Sequence, residues 1–170
     1  SDPGYVLLGG SMTSVNGVAV RNLAKVSTST GAAMPYPLGP DGRVAHIEVV
    51  TDAGGTRHLL VGGFFPGYLR SVGPSSGRPD GYRLPAISGT YSYPGVTAHA
   101  ARIWNMSVSP DGRAVLMTGV FTSVGGQRHE QIFRLNLTAG AATVSAWTPR
   151  QLFRHCATSY PFYARDAAWS

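Results

Sequence analysis

The chain has 170 residues, of which 22 are Gly and 12 are Pro; 43% are apolar and only 13% are charged. No run of about 18 apolar residues occurs, so no membrane helix is expected, and the apolar content argues against a disordered chain. Gly and Pro recur throughout, which argues against long helices and predicts many short strands joined by tight turns.

The formal charge of +6 comes from 14 basic and 8 acidic residues. The arginines are scattered along the chain and form no block of like charge. This distribution predicts a mildly basic, solvated surface and disfavours nucleic acid as a partner.

An internal repeat dominates the chain. Residues 5–17 (YVLLGGSMTSVNG) match residues 114–126 (AVLMTGVFTSVGG) at seven positions with a constant offset of 109. Residues 59–65 (LLVGGFF) carry a third copy of the apolar and Gly-Gly core, so the period is about 55 residues. Gly-Gly within a strand pattern indicates a bulge or a close approach of neighbouring strands.

Strands and turns are predicted around each copy of this motif. Residues 44–50 form a strand ahead of the second copy, with a turn at 52–55. A strand within 101–109 and the Pro-Asp-Gly turn at 110–112 precede the third copy. Residues 115–117 are predicted to return as the hairpin partner of that strand.

A further strand of each repeat is predicted to contain a basic residue flanked by apolar or small ones: Lys25, Arg83 and Arg134. This residue follows the second Gly of the motif by 15 positions in the first and third repeats and by 20 in the second. The difference predicts an insertion within 66–81, and loops that break a repeat often carry function.

Four short strands in a repeat of about 55 residues are typical of a β-propeller blade. The sequence therefore predicts an all-β fold of three four-stranded blades, with repeats at approximately 1–51, 52–109 and 110–170 of one partial domain. A β-sandwich with accidental similarity is the structural alternative.

Propellers usually close with about four to eight blades, so three are expected to need a complement. Three solutions are open. The chain is a fragment of a longer propeller, pairs with a second piece of the same protein, or closes the ring as a homodimer.

The chain resembles a known repeat family. Its motifs are the Asp-Gly turn with Val, LLVGGFF and VLMTGVFTSVGG, RHEQIFRLN, Gly-Ala and Trp147-Thr148-Pro149. These motifs resemble the delta-sixty-type β-propeller repeats of secreted and cell-surface actinobacterial proteins. The resemblance covers nearly the whole chain and is weakest at 66–100. It implies a secreted or cell-surface bacterial location and a binding or scaffold role, and it supplies no catalytic residues.

Cys156 is the only cysteine, so it cannot form a disulfide within this sequence. From the residues alone it is a buried apolar side chain, a link to another chain, or half of a pair whose second Cys lies outside these residues. The resemblance implies the last of these, because the matching family segment has a partner cysteine further along the chain.

Most of the aspartates are predicted to serve turns. Asp41, Asp80 and Asp111 each precede Gly, and Asp52 also belongs to a turn.

Glu48, Asn105 and Asp166 take similar places in the strand ahead of the Asp-Gly turn. Because the innermost strand of a propeller blade lines the central channel, these three are predicted as a polar group in the channel. Hydrogen bonds that hold the blades together are the structural interpretation, and acid–base catalysis is the functional one.

The predicted insertion and its neighbourhood supply the candidate ligand-binding residues: Tyr68, Arg70, Arg78, Tyr82, Tyr91 and Tyr93. Their rings and guanidinium groups are suited to stacking on, and hydrogen bonding to, a sugar or a polyanion. A tolerated insertion without function is the structural alternative.

No catalytic residue, metal site or cofactor is predicted. The five histidines lack ligand spacing and no Cys–His cluster occurs. Residues 73–77 match G-x-S-x-G, but prolines in the surrounding polar loop exclude the helix that a nucleophile elbow requires.

The sequence thus predicts a secreted, non-catalytic binding or scaffold module whose partner is a protein or a cell-wall glycan. The alternative is a hydrolase or lyase that acts on polysaccharide in the propeller channel. Carboxylates and histidines clustered in that channel would favour the enzyme.

Overall fold

The computed structural model of the chain describes residues 4–37, 39–93, 96–149 and 164–169, and for 91–93 and 96–99 it describes the backbone alone. This part of the chain forms strands and no helix, so it contains no helix that could cross a membrane. The strands before residue 73 are β1 (Tyr5–Gly9), β2 (Ser14–Val15), β3 (Val18–Ala19), β4 (Leu23–Ser27), β5 (Ala33–Met34), β6 (Val44–Thr51), β7 (Arg57–Gly63) and β8 (Leu69–Val72). The later strands are β9 (Ile87–Ser88), β10 (Tyr91–Tyr93), β11 (Val96–His99), β12 (Arg102–Val108), β13 (Ala114–Val120), β14 (Ser123–Val124), β15 (Gln127–Arg128), β16 (Ile132–Thr138) and β17 (Ala141–Val144).

Three antiparallel sheets follow one another along the chain. The first sheet has the order β1-β4-β5, the second β6-β7-β8 and the third β12-β13-β16-β17. Smaller units are the hairpins β2-β3 and β10-β11 and the sheet β15-β14-β9. The prediction of an all-β chain of short strands is confirmed, and the described residues form no closed ring or barrel.

The three copies of the glycine motif occupy equivalent strands, β1, β7 and β13. Strand β7 lies between β6 and β8, and β13 lies between β12 and β16. Strand β1 pairs with β4 alone among the described residues. The predicted hairpins ahead of the second and third motifs are confirmed as β6–β7 and β12–β13.

The predicted four strands per repeat occur only in the third sheet of the described part. The second sheet stops after β8, where the chain continues through Pro74 and Pro79, which have no N–H to donate to a ladder. A single bridge joins Val72 to Pro79 there. The first sheet has no strand on the outer side of β1 among the described residues.

The structure also corrects the predicted insertion within 66–81. The first and third sheets carry a hairpin, β2–β3 or β14–β15, between the strand with the glycine motif and the next strand of the sheet. The second sheet has only a tight turn between β7 and β8, and its long loop of residues 73–86 follows β8. The second sheet therefore lacks one hairpin and has one additional loop, and the net difference in the spacing to the basic residue is five residues.

Arg83 is consequently not the equivalent of Lys25 and Arg134, and that prediction is wrong. The strand register puts Ser71 at the corresponding place in the second sheet. Arg83 instead forms a parallel bridge with Ala141 at the edge of the third sheet. The spacing between basic residues concealed this difference, because a basic residue happens to follow the loop.

In β7 and β13, which carry the glycine motif, alternate side chains point to opposite faces of the sheet, as strand geometry requires. In β7, Leu59 and Val61 belong to the core cluster shared with the first sheet, and Leu60 belongs to the cluster shared with the third. In β13, Val115 and Met117 belong to this second cluster. Neighbouring sheets are therefore held together mainly by buried apolar side chains.

Glycines permit the close approach of consecutive sheets. A Cβ atom on Gly9 would lie 2.6 Å from Val44 Cγ1, and one on Gly62 would lie 2.8 Å from Ile103 Cγ2. Val44 and Ile103 lie on the first strand of the following sheet in each case. The first position of the motif is thus glycine in these two sheets because the next sheet packs directly on it.

The second glycine of the motif lies beside the backbone of the first strand in its own sheet. A Cβ atom on Gly63 would lie 2.2 Å from the carbonyl oxygen of Arg43, and one on Gly119 would lie 2.1 Å from that of Arg102. Only glycine fits at these two positions without moving the paired strand.

Replacing Gly63 with Ala is expected to lower the free energy of unfolding by about 1–3 kcal/mol, because the new methyl group must displace the β6 backbone. Chemical denaturation followed by circular dichroism measures the change. Thr51→Ala, at the exposed far end of the same hairpin, is the control and is expected to change stability by no more than about 0.5 kcal/mol. Unchanged stability of the Gly63 variant would contradict the packing.

Candidate functional site

A cleft of about 1060 Å³ lies between the chain that follows the first sheet and the second sheet with its long loop. Its apolar surface comes from side chains such as Leu23, Leu69 and Val72. The prolines that line it are Pro35, Pro37, Pro40 and Pro79. The remaining lining includes Tyr36, Tyr82, Arg70 and Arg78.

The long loop is fastened to the first sheet by hydrogen bonds at the edge of the cleft. Tyr36 Oη donates to the Pro74 carbonyl oxygen at 3.2 Å, and Lys25 Nζ donates to that of Ser75 at 3.2 Å. The hydroxyls of Tyr5 and Ser75 lie 3.2 Å apart. Burial and the proximity of Tyr5 raise the pKa of Tyr36 to about 12, so its phenol remains a donor at neutral pH.

Two arginines give the cleft a positive rim. Arg70 and Arg78 are both exposed, and no acidic residue lines the cleft. The Arg70 guanidinium lies over the Phe65 ring, 5.2 Å from the centroid, which orients it without neutralising its charge. The cleft therefore combines an apolar interior with cationic groups at its edge.

Beside the cleft, a buried histidine lies between two carboxylates. His58 Nδ1 is 2.8 Å from Asp80 Oδ2, and His58 Nε2 is 3.5 Å from Asp52 Oδ2. The side chains of His58 and Asp52 are each 3% exposed, and that of Asp80 is 12% exposed. Both ring nitrogens face protein carboxylates, so the ring links chain segments and presents no nitrogen to a substrate.

Asp52 joins the second sheet to the third. Its Oδ1 accepts hydrogen bonds from the N–H groups of Gly54 and Thr56 in its own turn, and its Oδ2 accepts one from Gly140 N–H, all at 2.9 Å. The hydrogen bonds from the N–H groups of Gly140, Thr56 and Gly54, together with the nearby His58 ring, outweigh burial and lower the pKa of Asp52. The predicted turn role is confirmed, and the bond to the third sheet adds to it.

Asp80 has a similar double role. Its Oδ1 accepts from the Tyr82 N–H at 3.1 Å as a turn residue would, and its Oδ2 accepts from Ser71 Oγ at 2.8 Å. Burial raises the pKa of Asp80, but the hydrogen bonds from His58, Tyr82 and Ser71 outweigh it and leave the pKa below its usual value. The carboxylate is thus held ionised.

Tyr82 is a structural member of this network. Its ring stacks on His58 with centroids 4.0 Å apart, and its Oη donates to the Thr138 carbonyl oxygen at 3.3 Å. Burial, with the negative charges of Asp52 and Asp80, raises the pKa of Tyr82 to about 12. One face of the ring is therefore unavailable for stacking on a ligand.

The structure brings three of the six predicted loop residues to the cleft: Arg70, Arg78 and Tyr82. Tyr68 lies in the tight turn after β7 with a φ of 59° and packs against the core shared by the second and third sheets. Tyr91 and Tyr93 belong to β10, and their side chains lie outside the described part.

The predicted channel residues form two separate pairs. Asn105 Nδ2 donates to Asp166 Oδ1, so these residues meet as their shared place in the repeat suggests. Glu48 Oε2 lies 3.3 Å from Nε2 of His46 on the same strand. The channel itself stays a prediction.

Several features were not visible in the sequence. His58 has no motif, since its partner Asp80 is 22 residues away. The sequence around a turn aspartate does not show whether its second carboxylate oxygen binds water or another sheet.

Cys156 lies outside the described residues. The described residues contain no group of three or more His, Cys, Asp or Glu side chains suited to a metal ion.

Comparisons with family models, curated proteins and solved structures gave no match.

The lowered pKa of Asp80 predicts a specific pH dependence. A carboxylate whose folded pKa is lowered contributes stability above its unfolded value of about 3.9 and loses it as the pH falls through the folded pKa. The difference in unfolding free energy between wild type and Asp80→Asn should be largest above about pH 5 and should shrink below about pH 4.

Denaturant titrations at several pH values measure this difference. Asp41→Asn is the control, because the exposed pair of Asp41 with Arg21 contributes little to stability at any pH. A difference between wild type and Asp80→Asn that stays constant down to about pH 3 would contradict the role of the network.

Proposed function

We propose that the chain is a non-catalytic binding or scaffold module built from propeller-type blades, which further blades complete into a ring. Three consecutive antiparallel sheets whose strands pair in chain order, with the glycine motif on an equivalent strand of each, support this arrangement. The secreted or cell-surface location belongs to the same proposal and rests on the family resemblance alone.

The observation that carries the binding role is the cleft with two exposed arginines at an apolar, proline-lined groove. Arginine recognises carboxylates through a fork of parallel N–H donors. Apolar grooves suit an extended peptide, whose apolar side chains enter while its backbone stays accessible. The ligand proposed here is an extended segment of a partner protein with apolar and acidic side chains.

A glycan fits the described residues less well. Sugar rings stack on open aromatic faces, but Tyr82 is already stacked on His58, and Tyr36 lies against the long loop at Gly77, where an added Cβ would be 2.7 Å from the ring. Apolar side chains and prolines therefore form most of the surface available to a ligand. This favours a peptide over a cell-wall glycan.

No described acidic residue lines the cleft, and Asp52 and Asp80 beside it are buried and paired with His58, which favours binding over polysaccharide hydrolysis or elimination. A glycosidase of the usual type needs two accessible carboxyl groups beside its substrate. The other described acidic side chains lie outside the cleft lining and have partners within the chain: Asp41 with Arg21, Glu48 with His46, Asp111 with Ser109, Glu130 with Arg128, and Asp166 with Asn105.

A peptide array tests the proposal. Short peptides that combine Pro, Leu and Glu are compared with the same peptides carrying Gln in place of Glu, and with uronic-acid oligosaccharides. The Glu peptides are expected to bind, and Arg70→Ala or Arg78→Ala should each weaken the best binder about tenfold, as measured by fluorescence anisotropy.

Arg113→Ala, which removes an exposed arginine from the β12–β13 turn, is the matched control and should leave the affinity unchanged. Binding that is confined to oligosaccharides, or that is unaffected by both cleft variants, would contradict the proposed ligand.

A further inference from the structure

The first sheet exposes apolar side chains that the other two sheets bury. Val6 and Leu8 on β1 are 46% and 38% exposed. The residues at the same places in the repeat are Leu59 (0%) and Val61 (2%) on β7, and Val115 (0%) and Met117 (0%) on β13. These four are covered by the preceding sheet, and among the described residues no sheet precedes β1.

The outer edge of β1 shows the same difference. Gly63 and Gly119 are pressed against the backbone of the strand that pairs with them. Gly10 is the matching residue of β1, and a Cβ atom there would approach only the flexible end of Met12, at 3.0 Å. The glycine is retained where nothing in the described chain requires it, which points to a strand that pairs with β1.

Residues 164–169 lie where the first strand of a further sheet would lie. Strand β12 contacts β6 and β7 of the preceding sheet. Likewise, Asp166 contacts Asn105 on β12, and Arg165 O accepts a hydrogen bond from Thr118 Oγ1 on β13 at 3.0 Å. Trp169 Nε1 adds a hydrogen bond to the Ser107 carbonyl oxygen at 2.9 Å.

Side-chain sizes agree with this placement. Thr118 takes the place in the repeat that Gly9 and Gly62 hold in the first two sheets. Those glycines pack under Val44 and Ile103 of the next sheet. The segment 164–169 instead begins with Ala164, at the place that Ile103 holds in β12. The third sheet therefore combines a larger residue, Thr118, with a smaller one, Ala164, in the segment that follows.

We propose that residues 164–169 of one copy pair antiparallel with β1 of a second copy, which rests on the propeller-type arrangement proposed above. In the described part of the chain, the segment belongs to no strand and β1 is paired with β4 on one edge. The register of β12 with β13, transferred through the repeat, places Ala167 opposite Leu8 and Trp169 opposite Val6.

A second copy fits because one chain carries both halves of the contact. The third sheet of each copy covers Val6 and Leu8 of the other, so the two contacts are equivalent and related by a two-fold axis. Closed two-fold dimers are the commonest soluble oligomers. Each contact adds backbone hydrogen bonds at an otherwise open edge and buries exposed apolar surface.

Native mass spectrometry and sedimentation velocity test the dimer. The wild-type chain is expected at about twice its 17.9 kDa mass. Val6→Glu and Gly10→Ala should each weaken association at least about tenfold while the circular dichroism spectrum is retained, as expected for a charge or an added methyl in a packed interface. Val18→Glu is the control and should remain dimeric, since Val18 is a strand residue of similar exposure, 49%, and its equivalent in the third sheet, Gln127, stays exposed although a sheet precedes it.

A cysteine pair tests the register in a Cys156→Ser background. A mixture of Leu8→Cys and Ala167→Cys chains should form a disulfide-linked heterodimer, whereas neither variant alone should form a disulfide-linked dimer efficiently.

A wild-type monomer, equal effects of the Val6 and Val18 variants, or the absence of the mixed disulfide would overturn the proposal. A monomer that still binds the acidic peptides would leave the proposed binding function intact. Loss of peptide binding in an intact dimer would contradict the proposed binding function and leave the dimer proposal intact.

Discussion

The close approach between the strand with the glycine motif in one sheet and the first strand of the next sheet is the constraint on which the described structure depends. At Gly9 and Gly62 the absence of a side chain admits Val44 and Ile103. Interiors pack as densely as organic crystals, so such a contact fixes the spacing of the sheets. The buried apolar clusters on either side of the second sheet follow from that spacing.

The polar network and the cleft both depend on this stacking. Only because the second and third sheets are adjacent does Asp52 reach the N–H of Gly140, and His58 then joins it to Asp80 near the cleft. Burying a charged or polar side chain costs free energy unless the side chain is paired. The charged side chains near the cleft therefore divide into a paired, buried group and an exposed pair of arginines that remains available for recognition.

The repeat allowed the all-β class, the hairpins around the second and third motifs and the turn role of Asp52 to be predicted. It could not show that the second sheet lacks a hairpin before β8, because the loop after β8 more than makes up the missing length before Arg83. It also could not reveal His58, whose partners meet it only in three dimensions. Arg70, Arg78 and Tyr82 do meet at the cleft, but only the structure shows that Tyr82 is already committed to stacking on His58.

A double-mutant cycle between Gly62 and Ile103 tests the packing constraint most directly. Gly62→Ala alone should destabilise the chain by overpacking, and Ile103→Ala alone should destabilise it by leaving a cavity. If the two residues pack as described, the double variant should lose less stability than the sum of the single variants, by about 1 kcal/mol or more. Additive losses, within about 0.5 kcal/mol, would contradict the account.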